Sequence, residues 1–389
     1  MNIKDMTLEL EDELVSMRRH FHMYPEVSWD EYNTQKEIMR CLDQIGVPYI
    51  KAVKTGVIAT IKGKQSSDKT IGIRADIDAL PVQELSGVKF QSKNKGCMHA
   101  CGHDTHITIL LGTAKILAKI KDELTVTVKL IFQPAEEFIE DSGAAYMKNE
   151  AEVLECDRLI ALHIWSKIEA GYASLRYGPV MSAADTFDIH IKGKGGHGAL
   201  PYQTIDPITA GCELVEAIQR LVSREISALE PAVISITSFN SGTTSNVIPG
   251  TAHLMGTART FDDDLRNAYP QMLKRVAQGV AKSTRTSIEV DYHMGPPPMI
   301  NSDECVDTGR KSGEKVFGKD HLIEHELQMG GEDFAKYENP KCLLLLGGGW
   351  PKESRQYPQH SPYFDINESV LKLGVEYFVQ YVLEYQEEE

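Results

Sequence analysis

At 389 residues, with 42% hydrophobic and 25% charged side chains, the chain has the composition of a soluble globular protein and the length of two domains. Its net charge of −15 at pH 7 argues against a nucleic-acid or anionic-membrane partner, since both require a basic surface. Seven irregularly spaced cysteines, no apolar leader and no run of the roughly eighteen apolar residues a membrane helix needs place the expectation in a reducing cytoplasm, with most cysteines as small buried hydrophobes.

Helical spacing covers residues near 5–22 and 30–45, the second closing at Gly46 as a C-cap. Val57 to Ile61 and Ile71 to Ile77 read as strands. Ile107 to Ile120 is apolar almost all round, as a buried helix is, with Asp104 or Thr105 as its N-cap. Val126 to Phe132 is a strand, residues near 143–154 a helix, and Leu159 to Leu162 a strand ending at His163. This alternation predicts an α/β fold, a mainly parallel sheet sandwiched by helices. From about residue 181 the order changes. Strands at Thr186–Lys192, Val233–Phe239, Ala252–Thr260 and Ser287–Tyr292 enclose helices at Pro207–Ser223 and Asp263–Ser283. That is β-α-β-β-α-β, a ferredoxin-like α+β lid domain. Gly295-Pro296-Pro297-Pro298 reads as a stiff exit linker. A helix near 303–316 and a strand at 342–346 then resume the first pattern, and the acidic tail Tyr385–Glu389 reads as a solvated end. The expected domains are therefore 1–180 with 294–389, catalytic, and 181–293, inserted.

Metal-ligand residue types recur where apolar runs give way to loops. Cys101-Gly102-His103 offers a thiolate and an imidazole suited to zinc and other late transition ions, with glycine allowing both to face one point. His99, Asp104 and His106 nearby can hold those ligands in place. Glu136-Glu137 follows Phe132-Gln133-Pro134-Ala135, and adjacent carboxylates divide labour: one ligates while the other acts as general base. His163 and His360 complete the set, at a strand end and beyond Gly347-Gly348-Gly349. Asp76 and Asp78 orient a ligand or the base, or pair with Arg74. Open α/β sheets bind ligands outside the carboxyl ends of their strands, so these segments point to a metallohydrolase. A hydrolase with Cys101 as nucleophile and His103 as base, and a non-catalytic binder of amino-acid conjugates, are the competing readings.

Several segments resemble the signatures of one family: Arg74 to Pro81, Met98 to Asp104, Phe132 to Glu137, Leu162 to Trp165, Gly193 to His197, Asn246 to Pro249, Gly256 to Arg259, Gly330 to Phe334 and His360 to Pro362. The family is the dinuclear aminoacylase/carboxypeptidase metallopeptidases. The chain is most similar to the branch of N-acyl-amino-acid amidohydrolases, hippurate hydrolases and auxin-conjugate hydrolases. The resemblance implies that Cys101, His103, Glu137, His163 and His360 hold two divalent metal ions, and that Glu136 is the general base. It implies that His197, Asn246 and Arg259 face the substrate from the lid, His197 also stabilising the oxyanion. Mixed sulfur, nitrogen and oxygen donors admit zinc, manganese, cobalt or nickel. The implied reaction cleaves N-acetyl, N-benzoyl or longer N-acyl-L-amino acids, with a dipeptidase or carboxypeptidase on the same scaffold as the alternative. Ser166 and Lys167 stand where relatives often carry proline, which bears on substrate preference. The exposed sheet edge of the lid leaves a homodimer or homotetramer open.

Overall fold

Four runs of the chain, 71–76, 128–133, 159–166 and 342–349, are buried at every residue. Consecutive residues of a strand point to opposite faces, so such runs fit only a sheet covered on both sides. The computed structural model describes residues 2–64, 68–351 and 356–388 and places these runs in the middle of an eight-stranded sheet. Its order is Tyr49–Ala52, Gly56–Lys62, Thr127–Gln133, Thr70–Asp76, Arg158–Glu169, Lys341–Gly349, Ala173–Ser174, Leu322–Ile323. The four central strands are mutually parallel, and antiparallel pairs flank them on both sides. Asp76 aligns with Gln133 and His163 with Leu345, and Arg74 pairs with Ala161, so His163 stands level with the positions where the strands Thr70–Asp76 and Thr127–Gln133 end. The fold is α/β.

The chain divides into two compact units, one of Met1–Val180, Ile300–Glu326 and Lys336–Glu389, the other of Met181–Met299 and Leu327–Ala335. In the first, the helix His103–Lys119 is buried on nearly all sides and shares one core with the helices Glu11–Met23, Tyr32–Ile45 and Leu371–Gln386. The second is a four-stranded antiparallel sheet ordered Ala232–Ser241, Thr251–Thr260, Asp185–Lys192, Ser287–His293. Helices Pro207–Arg224 and Asp263–Thr284 pack on one face through Leu214, Ile218, Leu273, Phe187, Ile189 and Ile191. A bidentate ion pair between Arg266 and the buried Asp185 fixes that unit, with Tyr292 OH donating to Asp185 Oδ2 (2.8 Å). Among the described residues, no helix is long and apolar enough to cross a membrane.

Several expectations need correction. The first predicted helix is two, Ile3–Glu9 and Glu11–Met23, and the stretch near 143–154 holds two one-turn helices, Ala144–Met147 and Ala151–Leu154. The strand Tyr49–Ala52 was not foreseen. His163 does not end its strand, which continues to Glu169. The three glycines 347–349 are strand rather than loop, because the backbone carbonyls of Glu169 and Tyr172 pack where a Gly347 side chain would be. Gly102, not Asp104 or Thr105, caps the helix at 103. Gly295–Pro298 belongs to the second unit: Arg266 Nη2 donates to Gly295 O (2.7 Å) and Ala184 N to Pro296 O (3.2 Å). Segment 327–335 also groups there, Ser182 N donating to Gln328 O (3.0 Å). The tail is anchored. Tyr385 OH donates to Asp157 (3.1 Å) and Glu388 pairs with Arg158 (2.7 Å), while Glu389 lies outside the described residues.

Candidate metal centre

Three left-handed residues, Gly102, Ala135 and His360, aim the side chains of the first unit's sheet edge. Gly102 (φ +90°) turns the chain between Cys101 and the first residue of the helix, His103, so both side chains face inward. A β-carbon at Gly102 would lie 2.4 Å from Ile164 Cγ2, so only glycine fits. Ala135 (φ +51°) breaks the strand Thr127–Gln133, and its N–H donates to Glu31 Oε1 (2.8 Å), which fixes the exit of Glu136 and Glu137. His360 (φ +67°) is held by its own N–H on Ala100 O (2.8 Å).

The hydrogen bonds decide which ring nitrogens are available. His163 Nδ1 donates to Ile164 O (2.8 Å), leaving the Nε2 lone pair 3.4 Å from Cys101 Sγ. His103 Nδ1 donates to Asp78 O (2.9 Å), leaving Nε2 buried, without a hydrogen-bond partner and 3.9 Å from Glu137 Oε1. Glu137 Oε1 is equally buried, and His360 Nε2 stands 3.2 Å from it outside hydrogen-bonding alignment. Ligand atoms about 2.0–2.3 Å from a tetrahedral ion lie roughly 3.3–3.8 Å from one another, close to the 3.2, 3.4 and 3.9 Å separations found here. Two groups, Cys101 with His103 and His163, and Cys101 with Glu137 and His360, have all their ligand atoms within 4.8 Å of one another. Cys101 belongs to both. A third group joins His103, Glu136 and Glu137. The residues therefore fit metal ions, with partnerless buried donors as the direct sign.

Electrostatics separate the metal reading from the cysteine-nucleophile reading. Burial, then the charges of Glu137, Glu136 and Asp76, push the Cys101 thiol well above its usual range. It stays protonated unless a cation arrives, the reverse of an activated nucleophile. His163 is held neutral by burial and by His106, the ligating form of imidazole. Burial opposes charge on His103, but Asp76 and Asp78 outweigh it and lift the ring to about 10.

Asp76 and Asp78 do what the sequence left open. Asp76 pairs with Arg74 (2.6 Å) and also accepts from His106 Nδ1 (2.5 Å). His106 Nε2 accepts the Ile164 N–H (2.8 Å), so both its nitrogens are engaged and it supports rather than ligates. Asp78 accepts from Ser28 Oγ (2.6 Å) and Glu137 N (3.0 Å). Asp104 is fully buried and accepts from Arg18 Nε and His22 Nδ1, both at 2.8 Å. Burial opposes its ionisation, but Arg18 and His22 hold its carboxyl far below the carboxylate range. Sequence reasoning missed Ser28, Glu31 and His22. They come from the first thirty-one residues, and only unusual polar residues on a core-facing helix stripe could have flagged His22.

His197 and Asn246 meet in the second unit. His197 pairs with Val247 across a two-residue ladder, and Gly198 N donates to Asn246 O (2.8 Å). The Ala199 N–H donates to His197 Nδ1 (3.1 Å), so its proton sits on Nε2 and points outward as a donor. Arg259 lies near the other end of the strand Thr251–Thr260, with no bond to either residue among those described. Its Nη1 donates to Asp185 O (3.2 Å), Ala258 O (3.0 Å) and Thr257 Oγ1, leaving the Nε/Nη2 edge without a hydrogen bond among the described residues.

Comparison with known proteins shows the family. The chain is 38% identical over 377 residues to thermostable carboxypeptidase 1 of Saccharolobus solfataricus, covering 96% of this chain and 95% of that one. It is 42% identical over 303 residues to an N-acyl-L-amino acid amidohydrolase of Geobacillus stearothermophilus, 78% of this chain and 81% of that one. The crystal structure of the Bacillus subtilis YXEP protein, described as a dinuclear metal-binding peptidase of the M20 family, superposes with a TM-score of 0.84. It shares 34% identity, over 97% of this chain and 99% of that one. The model of peptidase family M20/M25/M40 matches residues 72–384, a span that contains Cys101, His103, Glu137, His163 and His360. The chain therefore belongs to peptidase family M20/M25/M40 and is a metal-dependent hydrolase of that family.

Proposed function

We propose that this protein hydrolyses the amide bond of N-acyl-L-amino acids, releasing a carboxylic acid and a free amino acid. The observation that carries the reading is the convergence of Cys101, His103, Glu137, His163 and His360, with His103 Nε2 and Glu137 Oε1 buried and without a hydrogen-bond partner among the described residues. The amidohydrolase relative supports the substrate class. In this reading the five side chains hold two divalent ions, zinc, manganese, cobalt or nickel. Such ions, when bound, polarise the scissile carbonyl and lower the pKa of water towards neutrality.

The protein's own groups supply the rest. Glu136, grouped with His103 and Glu137, accepts the proton of the attacking water and returns it to the leaving amine. His197, protonated on Nε2, donates to the developing oxyanion, a contribution of roughly 3–4 kcal/mol for one well-placed donor. Asn246 binds the substrate, and Arg259 offers its Nε/Nη2 edge to the amino-acid carboxylate as a planar fork. The exposed strands at the edges of the second unit's sheet, Ala232–Ser241 and Ser287–His293, give a second copy a place to pair, as a homodimer or homotetramer. Seven free cysteines without a disulfide support a reducing, cytoplasmic setting.

A carboxypeptidase acting on the same scaffold is the second reading, favoured by the Saccharolobus relative. The two are separated by measuring amino-acid release from N-acetyl, N-benzoyl and longer N-acyl amino acids beside dipeptides, with EDTA and with each of the four ions. Metal-dependent turnover of acyl conjugates faster than dipeptides is expected. Faster dipeptides would replace the amidohydrolase reading with the peptidase one, and no turnover with any ion would leave a binder.

A further inference from the structure

The helix-free face of the second unit's sheet gathers side chains that hydrolysis leaves unused. Asp188 and His190 lie two residues apart on Asp185–Lys192 and so share a face. The register sets His253 directly opposite His190 on one neighbouring strand. On the other it sets Glu289 opposite His190 and Asp291 opposite Asp188, with His293 next along that face. His253 Nε2 is 2.7 Å from Asp188 Oδ1, His293 Nε2 is 3.7 Å from Asp188 Oδ2, and His190 Nε2 is 3.9 Å from Asp291 Oδ2. The rings of His190 and His253 lie parallel, 4.6 Å apart and inclined by 3°.

Two features call for a cation. Asp188 and Asp291 oppose each other directly across adjacent strands with Glu289 beside them, and like charges so placed repel. Among the described residues no lysine or arginine pairs with any of the three. The ligand atoms of Asp188, His190 and His253, meanwhile, all lie within 4.8 Å of one another, and the hydrogen bond that His253 Nε2 donates to Asp188 Oδ1 is what a bound ion would replace. Bonds of about 2.0–2.2 Å to nitrogen and oxygen need those atoms roughly 3.3–3.6 Å apart, and these partly exposed side chains close the difference by small rotations.

The geometry points to a second, non-catalytic site for a late divalent transition ion, zinc, nickel or copper, held by Asp188, His190 and His253. Imidazole with carboxylate suits these ions. His293 and Asp291 stand beside the three ligands. The bound ion ties Asp185–Lys192 to Thr251–Thr260 and offsets the carboxylate repulsion against Ser287–His293. It stabilises the second unit by mass action in proportion to its occupancy.

The test uses the full-length protein, dialysed against micromolar zinc and desalted, with zinc counted per chain beside a His190→Asn/His253→Asn variant. The variant should hold one equivalent less, hydrolyse acyl amino acids at the wild-type rate and lose part of the zinc-dependent rise in melting temperature. Equal zinc counts overturn the proposal, as does an extra equivalent that appears only in millimolar zinc, an adventitious ion only. Turnover falling together with zinc would place the lost ion at the hydrolytic centre and also overturn it. His190→Asn alone covers misfolding of the double variant. It should weaken zinc binding roughly tenfold or more, since even outer partners of a ligand carry that much, and unchanged binding refutes the site.

Discussion

Gly102→Ala tests the geometry of the hydrolytic centre at its narrowest point. The new methyl would sit 2.4 Å from Ile164 Cγ2 and 3.3 Å from Phe364 Cζ, in a backbone conformation with φ +90°. A left-handed backbone costs a non-glycine residue about 1–2 kcal/mol, and an extra methyl in a packed core costs about 1–3 kcal/mol. The expected loss of stability is therefore about 2–5 kcal/mol. Ile164 has no room to retreat, because its N–H donates to His106 (2.8 Å) and its carbonyl accepts from His163 and Gln359. The strain falls instead on the turn that carries Cys101 and His103, so metal affinity drops with stability. Denaturant unfolding read by tryptophan emission suits the purpose, since Trp165 packs edge-on against His163 at 5.5 Å. Chelator competition gives the affinity. Ile164→Ala removes the obstructing methyl and by itself costs about 2–5 kcal/mol for the cavity. The double variant should then lose less than the sum of the two singles. Strict additivity, or a Gly102→Ala protein with wild-type stability and metal affinity, would refute the steric account.

Glu136→Gln should lower kcat by about 10²–10⁴-fold with metal content intact, measured by turnover beside elemental analysis. Metal loss in that variant would exchange the roles of Glu136 and Glu137. Glu31, raised to about 7 by burial first and then by Asp78, favours the protonated folded state. Its stabilising contribution is complete below pH 4.5 and fades as pH rises through 7, by about 3 kcal/mol in all. Glu31→Gln should flatten that part of the stability–pH curve, and an unchanged slope would discard the assignment. Cys212 is the one exposed cysteine of seven, so iodoacetamide should label the native protein once, at Cys212, without loss of turnover. Labelling of Cys101 with loss of activity in the metal-loaded enzyme would revive the thiol nucleophile.

The candidate ligands Glu137 and His163 were legible because each stands beside an apolar run long enough to be a central strand, and Cys101 and His103 because the pair precedes a buried helix. Cys101, His103, Glu137, His163 and His360 do converge in space. What hydropathy could not show is where a strand stops. Leu159 to Leu162 was read as complete, yet the pairing of Gly349 with Glu169 carries both strands onward. Glycine is ordinarily a breaker, and at 347–349 it serves close backbone approach instead. The supporting polar layer was legible only in part. His106 and Asp104 lie near the ligands in sequence, whereas Ser28, Glu31 and His22 reach Asp78, Ala135 and Asp104 across fifty or more positions. No local pattern encodes a hydrogen bond at that separation.

The position of Lys341–Gly349 within the sheet bears on how the protein is made. That strand lies between Arg158–Glu169 and Ala173–Ser174, two segments a few residues apart that leave the ribosome long before it does. Until residue 349 emerges, the nascent sheet has a long, apolar, unpaired edge at Arg158–Glu169, a template for pairing with other chains. Completing it requires a parallel contact spanning some 180 positions, the kind of non-local closure that slows folding. Prematurely terminated chains that end before residue 341 would carry that edge permanently. They should aggregate even though Cys101, His103, Glu137 and His163 are all already present.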